Sequence, residues 1–333
     1  MSARRRIPGW ARVLCALMLM AAVLWAADLP AVADRLRQAR TPWMLASLAC
    51  AVAGNLISAW RWRSIARWLG HEMPLGQAAR VYFQAVALNA LLPGAVVGGD
   101  VYRAAALRRR GLGMLEAGLS VLLDRLSGLW ILAVLGLLAA AWGLVAAPGA
   151  AQALAAMGLP AVPFGVVAAL ALALLAAPAL AILAARRAAA KAAPGSARWA
   201  RVATVVRRPQ WGREYGRQVL GSAVVQILSV AALACAALAL GLDLPYWAWL
   251  VSAVPIFVMA TLPISFGGWG TREAAAALTL SAFGVAPSAG VAVGILVGLL
   301  GLVQACAGAV LLVLDAAPRQ DDASRGERGA PER

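Results

Sequence analysis

Histidine is nearly absent from this chain: His71 is the only one among 333 residues. The four cysteines, Cys15, Cys50, Cys235 and Cys306, stand singly inside apolar runs, with no C-x-x-C pair and no histidine beside them. Metal centres need clustered sulfur, imidazole and carboxylate ligands. The pattern therefore argues against a metal site or a disulfide framework and gives the cysteines the part of small buried hydrophobes. No glycine-rich phosphate loop follows a strand and no serine sits in a nucleophile elbow, so the common nucleotide-binding and serine-hydrolase signatures are missing. Charge is scarce as well, at 13% of residues against 63% hydrophobic. A soluble domain of this length exposes far more charge, which leaves an integral membrane protein.

What the chain has is long apolar runs. Residues 11–27, 43–59, 126–147, 162–185, 219–240 and 291–314 each come close to the roughly 20 residues that cross about 30 Å of hydrocarbon. The first run follows "MSARRR" and resembles a signal peptide. It lacks a clean small-x-small cleavage site and more spans follow, so a retained helix is expected. The net charge of +16 would suggest nucleic acid in a soluble protein. Here the basic residues cluster at span ends, as the preference for Lys and Arg on the cytoplasmic side requires, and no nucleic-acid partner is expected.

That preference sets a topology. With the N-terminus inside, the segment from Asp28 to Pro42 is external and Arg61 to Pro74 internal. Residues 75–110 then behave unlike a span, because a full crossing would put Arg103, Arg108, Arg109 and Arg110 outside. A re-entrant hairpin keeps them inside. Residues 186–217 hold nine Lys or Arg against one Glu, with Trp199, Trp211 and Tyr215 among them, so they read as a cytoplasmic segment lying on anionic lipid. A second broken stretch, 247–284, reads as a hairpin entered from outside. Residues 1–315 form one membrane domain in this reading, and 316–333 a disordered cytoplasmic tail. Nearly all basic residues then face the cytoplasm, the exceptions being Arg35, Arg37, Arg40 and Arg272.

The two broken stretches share a motif. "LPGAVVGGDVYRAAAL" begins at Leu92 and "LPISFGGWGTREAAAAL" at Leu262. Each has Leu-Pro, a Gly-Gly pair, an arginine four residues later and an alanine-rich run. Pro93, Gly98 and Gly99 in the first, and Pro263, Gly267, Gly268 and Gly270 in the second, are the expected breaks, releasing backbone groups that only protein or water can satisfy. Three spans separate the hairpins, so they enter from opposite faces, the mark of an inverted-repeat transporter with its substrate where the halves meet. Arg103 and Arg272 then stand at helix starts, where N–H groups, helix dipole and guanidinium together suit an anionic headgroup. The bland alternative for Arg103 is one more inside-positive charge. Arg272 gains nothing from that rule and has Glu273 beside it.

Other polar residues carry open alternatives. Asp100 either caps the helix that follows or binds a coupling ion. Asp124 and Arg125 lie within the membrane or at headgroup level. Asn89 and Gln84 are placed to line the first hairpin, while Asn55 and Gln226 suit interhelical hydrogen bonds. His71 reads as an interfacial residue, not a base.

"NALLPGAVVGGDVYRAAALRRRG", "SVLLDRLSGL" and "LPISFGGWGTREAA" together resemble the transmembrane-domain family of lysylphosphatidylglycerol synthases, the flippase-like domains. The resemblance runs from about residue 10 to 315. It implies a polytopic fold with re-entrant helices, and either the movement of an aminoacylated phospholipid between leaflets or a part in handling lipid-linked sugars or other isoprenoid lipids. With the apolar runs, the expected fold is an all-α polytopic membrane protein of about six spans plus two re-entrant hairpins. Matching positions give Arg103, Arg272, Glu273, Asp100, Asp124 and Arg125 as expected substrate contacts, and Asn89 joins them as a residue placed to line the first hairpin. The chain ends at Arg333, soon after the last apolar run, without the soluble aminoacyltransferase domain of bifunctional members, so synthase activity is not expected. The reading is a flippase or scramblase that moves an anionic or zwitterionic phospholipid or an isoprenoid-linked lipid between the leaflets of a bacterial-type inner membrane, both termini cytoplasmic, needing no cofactor and no metal. Its partners would be an anionic-headgroup lipid and, in the rival reading of an accessory subunit, a lipid-modifying enzyme. Self-association into a homo-oligomer is left open.

Overall fold

The computed structural model describes residues 29–91, 98–191, 208–262 and 267–316. The expected first span, Pro93, Pro263, the middle of the basic segment and the polar tail lie outside the described residues. Within them the chain is all helix: α1 (Leu29–Arg37), α2 (Thr41–Trp68), α3 (Leu75–Leu91), α4 (Gly98–Arg108), α5 (Met114–Ala146), α6 (Ala150–Ala156), α7 (Phe164–Lys191), α8 (Trp211–Ala239), α9 (Tyr246–Thr261), α10 (Thr271–Ser281) and α11 (Pro287–Ala316). Five of these, α2, α5, α7, α8 and α11, are long and apolar enough to cross a membrane. They coincide with five of the six apolar runs. The protein is a multi-pass, all-α membrane protein.

The helices outrun their apolar cores. α2 continues from the run ending at Ala59 to Trp68, and α5 begins twelve residues before Leu126. With 1.5 Å of rise per residue, α5 is about 50 Å long, and Asp124 sits about 15 Å from its start. Charged residues on these extensions are therefore carried into the bundle: Arg61, Asp124 and Glu214 are all buried. Outward faces stay apolar, with Leu122, Leu126, Leu129 and Trp142 on α5 and Leu170, Leu172 and Leu180 on α7 exposed, as lipid contact favours.

Proline marks one local adjustment. Pro178 inside α7 has no N–H for the carbonyl of Leu174. The indole N–H of Trp130 on α5 donates to that carbonyl at 2.7 Å, and the Tyr215 hydroxyl of α8 donates to Leu175 O. A helix break that would leave a bare carbonyl in hydrocarbon is thus used to tie three helices together.

The packing of α2–α5 is repeated by α8–α11. Within the first set α2 packs on α3 and α5, and α4 on α3 and α5; within the second α8 packs on α9 and α11, and α10 on α9 and α11. Between sets α2 packs on α8, while α3 packs on α11 as α9 does on α5. α3–α4 and α9–α10 each fold back as a hairpin. Tyr102 donates to Gln84 Oε1 across the first, and the rings of Trp247 and Phe283 meet at 5.5 Å where the ends of the second converge. Small residues allow the closest approach: Ser47 Oγ of α2 donates to Ala232 O of α8 at 2.7 Å, and Gly54 faces Leu228 and Ser229. The core around Leu132, Leu233, Trp249, Ile256, Leu280 and Leu296 joins α5 and the second set.

Candidate functional site: a charged cavity inside the bundle

Described residues next to the two helix breaks approach each other. A Cβ placed on Gly267 would lie 3.8 Å from Ala90 O, the last part of α3 before the first break. At the first break the N-terminus of α4 is closed by Asn89, whose Oδ1 accepts from Gly99 N at 2.8 Å. Gly99 packs so tightly on Asn89 and the Ala85 carbonyl that no side chain fits there. Asn89 therefore does the capping that the sequence offered to Asp100. At the second break Gly267, Gly268 and Gly270 take φ of 56°, 79° and 82°, the left-handed region that glycine enters freely. Gly268 also lies against the Ala260 carbonyl. Glu273 reaches back to accept from Gly270 N at 2.6 Å, the carboxylate half of a capping box, the other half being closed to a glycine that has no side chain.

Asp124 is the centre of the charged cluster and is only 2% exposed. Arg61 Nε donates to its Oδ1 at 2.9 Å and Nη2 to its backbone carbonyl at 3.0 Å. Arg103 Nη2 donates to its Oδ2 at 2.6 Å. Arg61 is held further by Ser222 Oγ of α8, at 2.9 Å from Nη1. The Arg103 guanidinium lies between the rings of Trp62 and Tyr82, 4.6 and 4.7 Å from their centroids. Such cation–π contacts add about 0.5–2 kcal/mol each. Trp62 is itself oriented by Ser120 Oγ. Arg125 donates to both oxygens of Asp100, at 2.9 and 3.2 Å, and Asp100 also stands 3.8 Å from Arg103.

This cluster lines a cavity of about 460 Å³, within the size range of small-molecule sites. α2 contributes Asn55, Ser58 and Arg61, and α3 Tyr82 and Asn89. α4 supplies Asp100 and Arg103, and α5 Asp124, Arg125 and Gly128. α8 adds Gln226 and Ser229, and α9 adds Phe257 and Thr261. Asn55 donates to Gln304 on α11 at 2.7 Å and Gln226 to Gly128 O at 2.9 Å, so both make the interhelical bonds expected of them while facing the cavity. A separate apolar cavity of about 410 Å³, lined by Ile65, Leu123, Trp130, Pro178 and Tyr215 among others, flanks the opposite side of α5.

Of the expected contacts, Asn89, Asp100, Arg103, Asp124 and Arg125 are brought together. Arg272 and Glu273 are not. Arg272 donates to Glu273 Oε1 through Nε at 3.0 Å and Nη2 at 2.5 Å, and its guanidinium lies 4.9 Å from the Trp269 ring centroid. Gly294 of α11 admits the Glu273 backbone, and Gly298 admits the Arg272 guanidinium. This pair fastens α10 to α11; it is absent from the cavity lining. The cavity also holds Arg61, which composition alone assigns to the inside-positive charges of "WRWRSIARW". A finer signal was present: Gly54, Ser58, Arg61 and Ile65 recur at helical spacing, placing Arg61 on a face of small residues that packs inward.

Among the described residues no cluster of His, Cys, Asp and Glu could hold a metal ion. No curated protein matches the chain. The family model of the lysylphosphatidylglycerol synthase transmembrane region matches residues 9–308. That match takes in every helix of the cavity, and the chain belongs to this family.

Proposed function

We propose that the chain is a lipid translocator whose charged cavity receives the headgroup while the tails stay in the surrounding bilayer. One observation carries the reading: Arg61, Arg103, Asp124 and Arg125 line a cavity inside a bundle whose outer faces are apolar. Ionisable groups at such depth mark ligand or ion paths. A phosphate oxygen competes with Asp124 for Arg103, whose guanidinium is already oriented by Trp62 and Tyr82. Little reorganisation is then needed on binding.

The matched packing of α2–α5 and α8–α11 supports an inverted repeat. Three long helices, α5, α7 and α8, separate the two hairpins, so an odd number of crossings turns the second hairpin to the opposite face. The hairpins are re-entrant in this reading, with both breaks inside the membrane and the cavity beside them. Rocking of one set against the other about the α2–α8 contact exposes the headgroup to each leaflet in turn. The membrane is the bacterial inner one, with the basic span ends cytoplasmic. The protein itself performs no covalent step.

The test is to identify lipids that co-purify with the protein and with Arg103→Gln. One phosphate-bearing lipid enriched with the wild type and lost from a folded variant supports a headgroup site. The same bulk phospholipids on both would make the arginine a structural charge and favour an accessory role beside a lipid-modifying enzyme.

A further inference from the structure

We infer that the cavity selects a monoanionic phosphodiester with an uncharged, hydroxyl-bearing headgroup over a zwitterionic or aminoacylated one; this rests on the translocator reading above. The charge of the lining carries it. Among the described residues the charged lining consists of Arg61, Arg103, Arg125, Asp100 and Asp124. Three positive charges face two negative ones, which leaves a place for one anion.

A cationic headgroup has no such place. Both carboxylate oxygens of Asp124 are held by Arg61 and Arg103, and both of Asp100 by Arg125. An ammonium entering the cavity must share each carboxylate oxygen with a guanidinium and meets a lining whose net charge is already positive. A buried charge without its own counter-charge is strongly disfavoured. Arg103, 3% exposed, is the opposite case: its Nε finds no hydrogen-bond partner among the described residues. A phosphate oxygen can take that donor and share Nη2 with Asp124, the two-point geometry that guanidinium groups offer phosphate. The neutral polar lining includes Asn55, Asn89 and Gln226, each of which spends one amide atom on a bond within the protein and keeps the other, Asn55 Oδ1, Asn89 Nδ2 and Gln226 Oε1, for a ligand. These match hydroxyls, which donate and accept, better than they match charge.

The test uses the full chain in detergent, titrated with dihexanoyl phosphatidylglycerol, dihexanoyl phosphatidylethanolamine and, at pH 8, dihexanoyl phosphatidic acid. The expected result is at least about tenfold tighter binding of the glycerol lipid than of the ethanolamine lipid, lost in Arg103→Gln. Arg125→Gln, whose target has a partly exposed side chain, shows the same loss should the first variant not fold. Asp100→Asn adds one uncompensated positive charge and moves the preference toward phosphatidic acid. Arg103-dependent binding in which the ethanolamine lipid equals the glycerol lipid overturns this inference and spares the translocator reading. Binding of all three that ignores Arg103 overturns both. Glycerophosphoglycerol, the same headgroup without tails, binding as tightly as the lipid would keep the ligand class and overturn the lipid.

Discussion

At the scale of single residues, Asp124 joins two arginines that could not otherwise be buried side by side. Asp124→Asn leaves Arg61 and Arg103 without a full counter-charge, and breaking a buried pair from one side costs about 3–5 kcal/mol. Arg80→Gln is the matched control. Its salt bridge to Asp315 is exposed, and such pairs contribute about 0–1 kcal/mol. Thermal unfolding in detergent should show a large fall for the first and a small one for the second; equal small losses would mean that Asp124 is not the centre of the cluster. Arg272→Gln is expected to lower stability yet keep any co-purifying lipid, because Arg272 serves the contact of α10 with α11. Loss of lipid from a folded Arg272→Gln protein would return that residue to the binding site. The two arginines look alike in sequence, each four residues after a glycine pair. What separates them is the partner: Arg103 faces Asp124, distant in the chain, whereas Arg272 folds onto its own neighbour. Spacing shows neither.

At the scale of elements, the apolar runs locate the long helices to within a turn at their hydrophobic ends and miss the polar extensions. Hydropathy falls at Arg61 and Asp124, but the helix continues because bundle neighbours bury both. Trp130 and Pro178 offer a direct check on how helices are joined. Trp130→Phe strands the Leu174 carbonyl that proline leaves free, a loss of about 1–3 kcal/mol. Pro178→Ala restores the missing N–H, so the double variant should recover most of that loss in a thermodynamic cycle. Simple additivity would show that the indole bond does not serve this carbonyl. Glycines divide in the same way. Gly298→Ala drives a methyl into the Arg272 guanidinium and the Trp269 ring, for about 1–3 kcal/mol of overpacking. Gly118 on α5 has nothing within 4 Å of an added Cβ, and Gly118→Ala should stabilise by about 0.5–1 kcal/mol. A Gly298→Ala protein that melts no lower than the wild type would contradict the packing described for α10 and α11.

At the scale of the whole molecule, the repeated motif pointed to two hairpins, and the packing of α2–α5 and α8–α11 matches element for element. Asymmetry lies in the chemistry. The first hairpin brings its arginine to a shared cavity; the second spends its arginine on a helix contact and lends the cavity Phe257 and Thr261. Only one of the two motif arginines thus lines the cavity, and no count of motifs could reveal that. The central claim is that lipid headgroups cross through this cavity. Its most direct measurement is the rate at which a headgroup-labelled phospholipid becomes accessible to a membrane-impermeant quencher in proteoliposomes. Translocation should exceed that of protein-free vesicles and fall at least about tenfold in folded Arg103→Gln and Arg125→Gln proteins, with Arg80→Gln unchanged. A wild-type rate no faster than empty vesicles across anionic, zwitterionic and isoprenoid-linked lipids, or a rate indifferent to Arg103, would contradict it.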